Sequence, residues 1–140
     1  MARRRPTQGP PAFRLILDSG AVIALSRRDD RARAALAAAW EVGADVSIPA
    51  LVVAETVRGS APRDAPVNRV IAAVGEVGVA DEATGRVAGA LLGAAKSEAT
   101  IDALVVADAI ERGGGVILTA DPDDLGRVAE GHTEVVIEAL

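Results

Sequence analysis

The sequence predicts an α/β protein, a parallel sheet covered by helices on both faces. Three observations carry that expectation. Short apolar runs ending in polar turns alternate with helical stretches from residue 14 onward, the pattern of parallel strands joined by crossover helices. The runs are apolar at successive positions, as strands buried on both faces are. A chain of 140 residues, half of them apolar and a quarter charged, suits one globular domain. At this size folding buries roughly two-thirds of the surface that the unfolded chain exposes.

The elements follow in order. Arg14-Leu15-Ile16-Leu17 reads as a buried strand closed by Asp18-Ser19-Gly20. Ala21–Leu25 suggests a short helix. Asp30–Val42 is alanine-rich, with Leu36, Ala37 and Trp40 at helical spacing, so it reads as an amphipathic helix, stopped by Gly43. Val46-Ser47-Ile48 is the second strand, closed by Pro49, and Ala50–Arg58 a helix ended by Gly59. Ser60–Pro66, with Pro62 and Pro66, is expected as a loop. Val67–Val74 is a helix, Val77-Gly78-Val79 the third strand, and Glu82–Lys96 a long alanine-rich helix. Thr100 is the expected N-cap of a helix over Ile101–Arg112, which Gly113-Gly114-Gly115 stops. Val116–Thr119 is the fourth strand, ending at Ala120-Asp121. Pro122 opens a helix continued by Asp123–Glu130, and Glu134–Ile137 is the fifth strand.

Composition removes several kinds of function. No cysteine is present, so disulfides, thiol nucleophiles and thiolate metal sites are excluded. His132 is the single histidine, which rules out multi-histidine metal cages and reads as a solvated loop residue. Phe13 and Trp40 are too few for a base-stacking platform. No apolar run reaches the roughly 20 residues of a membrane span. The arginine-rich start imitates a secretion signal, but Asp18 interrupts its apolar stretch and no clear cleavage site follows. The expected location is the cytoplasm.

Charge is unevenly placed. Residues 1–14 carry four arginines and no acid, while the rest carries 11 basic and 20 acidic side chains. Residues 1–13 are read as a basic disordered tail and residues 14–140 as the domain. The body's field repels polyanions, so action on nucleic acid needs cations, a local basic patch or the tail.

In an open α/β sheet, ligands bind beyond the carboxyl ends of the strands, where strand order reverses. Asp18 follows the first strand and Asp121 the fourth. If those strands are neighbours, the two carboxylates face each other. Glu55 is an acid within the apolar Leu51-Val52-Val53-Ala54 context, costly to bury unless paired or bound to metal, and a solvated helix face is its ordinary reading. Asp102 lies two residues past Thr100, where helix-dipole compensation is its ordinary role. Four converging carboxylates repel one another unless a cation neutralises them. Oxygen ligands without histidine or cysteine suit Mg²⁺ or Mn²⁺, ions that activate water for displacement at phosphorus.

Leu15-Ile16-Leu17-Asp18-Ser19-Gly20, Val53-Ala54-Glu55, Ile101-Asp102-Ala103-Leu104-Val105-Val106-Ala107 and Leu118-Thr119-Ala120-Asp121, in this order, closely resemble the PIN-domain family. Their order and spacing are similar to those of the VapC-like toxins of type II toxin–antitoxin pairs, over about residues 14–140. The resemblance implies a five-stranded parallel sheet in the order 3-2-1-4-5, with strands one and four adjacent. It implies an Mg²⁺- or Mn²⁺-dependent endoribonuclease with Asp18, Glu55, Asp102 and Asp121 as its acidic quartet and metal ligands. Thr119 is then the hydroxyl residue that orients carboxylates or water, and Ser19 acts at most through one of the acids. Products with 5′-phosphate and 3′-hydroxyl ends, a cognate antitoxin that often inserts Arg or Lys among the carboxylates, and a homodimer are implied as well.

Other readings are weaker on the residues. Asp108 lies roughly 240° round the helix from Asp102 and is expected in solvent. Asp123 and Asp124 sit where a helix start favours acids anyway. Asp121-Pro122-Asp123 echoes a calcium loop, but its fifth and twelfth positions are Leu125 and His132. Gly113–Gly115 precedes a strand and lacks the Gly-Lys-Ser/Thr of a phosphate loop. No Gly-x-Ser-x-Gly elbow exists for a serine hydrolase. A phosphoacceptor domain wants paired acids after the first strand, where Ser19 stands, and a lysine after the last, whereas Lys96 is the only lysine. A non-catalytic PIN-like interaction module is the alternative function.

Overall fold

The structure, a computed structural model, describes residues 13–140. The expected tail falls outside the described residues apart from Phe13, which packs half-buried against the core. The described elements run β1 (Arg14–Leu17), α1 (Ser19–Ser26), α2 (Asp30–Glu41), β2 (Asp45–Pro49), α3 (Ala50–Thr56) and α4 (Ala61–Val74). They continue with β3 (Val77–Gly78), α5 (Glu82–Ala95), α6 (Thr100–Glu111), β4 (Gly115–Thr119), α7 (Pro122–Val128) and β5 (Val135–Ala139).

The strands form one parallel sheet in the order β3-β2-β1-β4-β5. β1 is central: Ile16 pairs with Ser47 on one side and Ile117 on the other. The chain winds outward through β2 and β3, then crosses back to β4. Strand order therefore reverses between β1 and β4, and a crevice opens at their carboxyl ends. Leu15, Ile16 and Leu17 are all buried, as are Ile117 and Leu118. Burial of successive residues requires cover on both faces, which accounts for the runs of apolar side chains without alternation. α6 is apolar nearly all round, with Ala103 and Val105–Ala109 buried, so it sits inside the fold between α5, α7 and the sheet.

Four local expectations are corrected. The stripe that α2 buries is Ala32, Leu36 and Ala39, while Trp40 is 47% exposed and Ala37 is also outward. Residues 61–66 begin α4 and are not a loop. Pro62 is harmless in the first turn, where its missing N–H would have no intrahelical partner. The lead-in is held instead by Asp64, which accepts the Arg58 amide at 3.0 Å, the Gly59 amide at 2.8 Å and Arg63 Nη1 at 2.9 Å. Thr100 is the first residue of α6 and the N-cap is Ala99, with no side-chain cap. Asp108 is buried, not solvated: Arg112 Nε donates to it at 3.2 Å and Arg112 Nη1 to Glu76 at 3.2 Å. That cluster ties α6 to the segment entering β3.

Candidate active site

Each acid reaches the crevice by a different route. Asp18 follows β1 directly and stands at the N-cap position of α1, although its side chain caps no helical amide. Its own amide donates to the Leu118 carbonyl at 3.0 Å, so the β1–β4 ladder extends to the site. Asp121 stands at the N-cap of α7, again without a side-chain cap bond. Neither carboxylate is consumed by its helix. Glu55 projects from α3, which follows β2 directly, and Asp102 from the first turn of α6.

Thr119, the last residue of β4, joins two of them. Its hydroxyl is fully buried, donates to Asp18 Oδ2 at 2.9 Å and accepts the Asp121 amide at 3.0 Å. Asp18 is itself only 6% exposed.

Close approach of α1 to the β4–α7 turn depends on Gly20. A Cβ there would lie 2.6 Å from the Ala120 Cβ and 2.9 Å from its amide nitrogen. A glycine in the first turn of a helix costs helix stability, and close backbone approach is a common reason to keep one. A glycine at that place, directly after Asp18-Ser19, is the signal in the sequence for this contact.

The carboxylates act on one another's charge. Burial, then Asp18, Asp124, Glu55 and Asp121 in that order, push Asp102 up to about 6. Glu55 stands exposed on α3, yet partial desolvation and the Asp18 charge raise it as well, while Ser19 and Arg58 pull it back. Asp18, Glu55, Asp121 and Asp124 thus all act on Asp102, and of these Asp124 is expected from the sequence only as an acid at a helix start. The acids do not close on a common centre. Among the described residues no three His, Asp or Glu are arranged to hold an ion between them. His132 faces Glu134 at 3.7 Å in the loop before β5, apart from this network.

The donor set consists of carboxylate oxygens with one ordered hydroxyl. Such a set suits a hard divalent cation, and Mg²⁺ in particular usually keeps several waters and takes one or two carboxylates directly. The absence of a tight three-acid clasp is compatible with that mode.

A family model described as PIN domain matches residues 15–131. Among solved structures, the chain resembles one in VapBC2 from Rickettsia felis bound to a fragment of its promoter DNA. That match has a TM-score of 0.72 at 13% identity and covers 91% of this chain and 99% of the other. A toxin–antitoxin complex from Klebsiella pneumoniae gives a TM-score of 0.65 at 19% identity, covering 87% and 95%. FitAcB from Neisseria gonorrhoeae gives 0.64 at 20% identity, covering 89% and 96%. At these identities the likeness establishes the fold. No curated protein sequence matches the chain.

Proposed function

The chain belongs to the PIN domain family, and from that premise we propose that it is a metal-dependent endoribonuclease, the toxin of a type II toxin–antitoxin pair. The observation that carries this reading is the Thr119 bridge between Asp18 and the Asp121 amide, set in a crevice where burial and four other carboxylates raise Asp102 to about 6. Acids that raise one another's proton affinity lose stability when ionised, and a divalent cation offsets that cost.

Asp18 and Asp121 are the principal ligands in this proposal, directly or through water, and Glu55 and Asp102 complete the set around Mg²⁺ or Mn²⁺. When bound, the cation lowers the pKa of water and stabilises charge at a phosphodiester. The chain's own groups do the rest. Thr119 holds Asp18 in one rotamer and fixes the turn that presents Asp121. One carboxylate takes a proton from the attacking water, and products end in 5′-phosphate and 3′-hydroxyl. The substrate is RNA, the chain pairs with itself as a homodimer, and the site is in the cytoplasm. No described helix is long and apolar enough to cross a membrane. The structural neighbours named toxin–antitoxin complexes support a cognate antitoxin as the protein partner.

The test is cleavage of total RNA by purified, antitoxin-free chain in Mg²⁺, Mn²⁺ or EDTA, beside Asp18→Asn of equal thermal stability. Metal-dependent cutting that disappears in the variant is expected. Absence of cutting across a broad RNA pool sinks the nuclease reading in favour of a non-catalytic module.

A further inference from the structure

A groove between α1 and α4 places cations at the margin of an acidic crevice. It encloses about 310 Å³ and touches the carboxylate network only through Glu55. That volume lies at the small end of ligand sites, which span roughly 300–1,000 Å³. Ile23 of α1 and Pro66 and Val67 of α4 supply apolar lining. Arg27, just past α1, and Arg63, in the first turn of α4, line it from separate elements.

The two arginines differ in how they are held. Arg63 Nη1 donates to Asp64 Oδ1 at 2.9 Å and to the Thr56 carbonyl at 3.2 Å. Asp64 is in turn buried against the Arg58 and Gly59 amides. The Arg63 head is thereby anchored while its side chain stays 54% exposed, and the rest of its planar fork is left for a ligand. Arg27 is exposed and makes no ion pair among the described residues. The hydroxyls that line the groove are already engaged: Ser26 donates to the Ile23 carbonyl and Thr56 to the Val52 carbonyl. Anion recognition therefore falls to the arginines.

We infer that this groove seats the nucleotide beside the scissile bond of a single-stranded RNA, with Arg27 and Arg63 on its phosphate and the apolar lining against its sugar and base. The inference rests on the nuclease reading and adds to it a path for the substrate strand. The chain after residue 14 carries 11 basic and 20 acidic side chains, so its overall field repels RNA and attraction must be local. Phosphate contacts position a strand without reading its bases, so this groove contributes affinity and register, not sequence choice.

The experiment is fluorescence anisotropy with a fluorescein-labelled single-stranded RNA of mixed sequence, on the Asp18→Asn chain in Mg²⁺ across a salt series. Arg27→Gln and Arg63→Gln are each expected to reduce the slope of log affinity against log salt by about 0.7, the value for one phosphate contact to a single strand. Arg86→Gln on α5, whose side chain among the described residues pairs only with Glu82 on the exposed surface, leaves the slope unchanged. Arg27→Gln breaks no described intramolecular bond, so it decides the matter if Arg63→Gln lowers Tm. Slopes for Arg27→Gln equal to those of Arg86→Gln overturn the assignment. If the unsubstituted chain still cuts RNA in that case, the nuclease reading stands. If the chain neither binds nor cuts RNA, both readings fall.

Discussion

Thr119 and Asp18 meet across the seam between β4 and β1, the threonine hydroxyl donating to the aspartate Oδ2 at 2.9 Å. Both are buried, so water does not replace the bond when it is lost. A buried hydrogen bond to a charged group is worth about 1.5–3 kcal/mol. Thr119→Val is therefore expected to cost stability in that range and to abolish RNA cutting, because it frees both Asp18 and the Asp121 turn. Thr119→Ser keeps the hydroxyl and retains most of both. Urea unfolding and cleavage rates on the three chains check this.

Gly20→Ala tests the closeness of α1 to the β4–α7 turn. The new methyl would meet the Ala120 Cβ at 2.6 Å. Overpacking of this kind costs about 1–3 kcal/mol, and here the relief is a shift of the helix that begins beside Asp18. A lower Tm and slower cutting are expected, with part of each recovered when Ala120→Gly is added. Wild-type behaviour of Gly20→Ala alone contradicts the packing described.

Asp102 sets a pH dependence. Its folded-state pKa is about 6 against an ordinary 3.8, so the folded chain holds that proton more tightly than the unfolded chain does. Its ionisation therefore lowers stability as pH climbs from about 4 through about 6. Thermal melts in EDTA are expected to show Asp102→Asn gaining on the wild type over that interval and staying ahead above it. A constant difference from pH 4 to 7 refutes this. Added Mg²⁺ should narrow the gap more at pH 7 than at pH 5, since cation and proton compete for the same oxygens.

Asp64 has the opposite sign. Burial pushes its carboxyl up, but the Arg58 and Gly59 amides and Arg63 outweigh it and hold the group below its ordinary value. Its contribution is present above the unfolded value of 3.8 and is lost as pH falls through the lower folded one. Asp64→Asn is expected to lower Tm at pH 7, with the deficit shrinking in acid. Melts at pH 7 and pH 3 settle it.

The contact of Asp18, Thr119 and Asp121 is legible in the residues because strand ends announce themselves. Asp18 and Asp121 each close an apolar run, and Thr119 lies inside the same short motif. What escaped depends on direction and distance, which one-dimensional spacing does not carry. Helical periodicity marked Trp40 as part of an apolar stripe, yet the neighbouring Ala32–Leu36–Ala39 stripe is the buried one. Pro62 and Pro66 suggested a loop because proline breaks helices, but the first turn tolerates Pro62, and Asp64 holds the entry. The angle of Asp108 from Asp102 points it away from that acid but says nothing about its burial beside Arg112. Asp124 stands where the sequence predicts a helix start, in the first turn of α7. That its charge also reaches Asp102 follows from the packing of α7 on α6, a tertiary relation.

The outer strand β3 is only two residues long, pairing Val77 and Gly78 with Ile48 and Pro49. Exposed strand edges are templates on which foreign chains add and fibrils grow. An edge of two residues presents too few free amides and carbonyls to hold an incoming strand in register. Val77 and Val79 are exposed beside it, and in a longer strand they would make a sticky rim. Brevity on this side guards the sheet against runaway growth, so strand-by-strand aggregation of the folded molecule has to begin elsewhere.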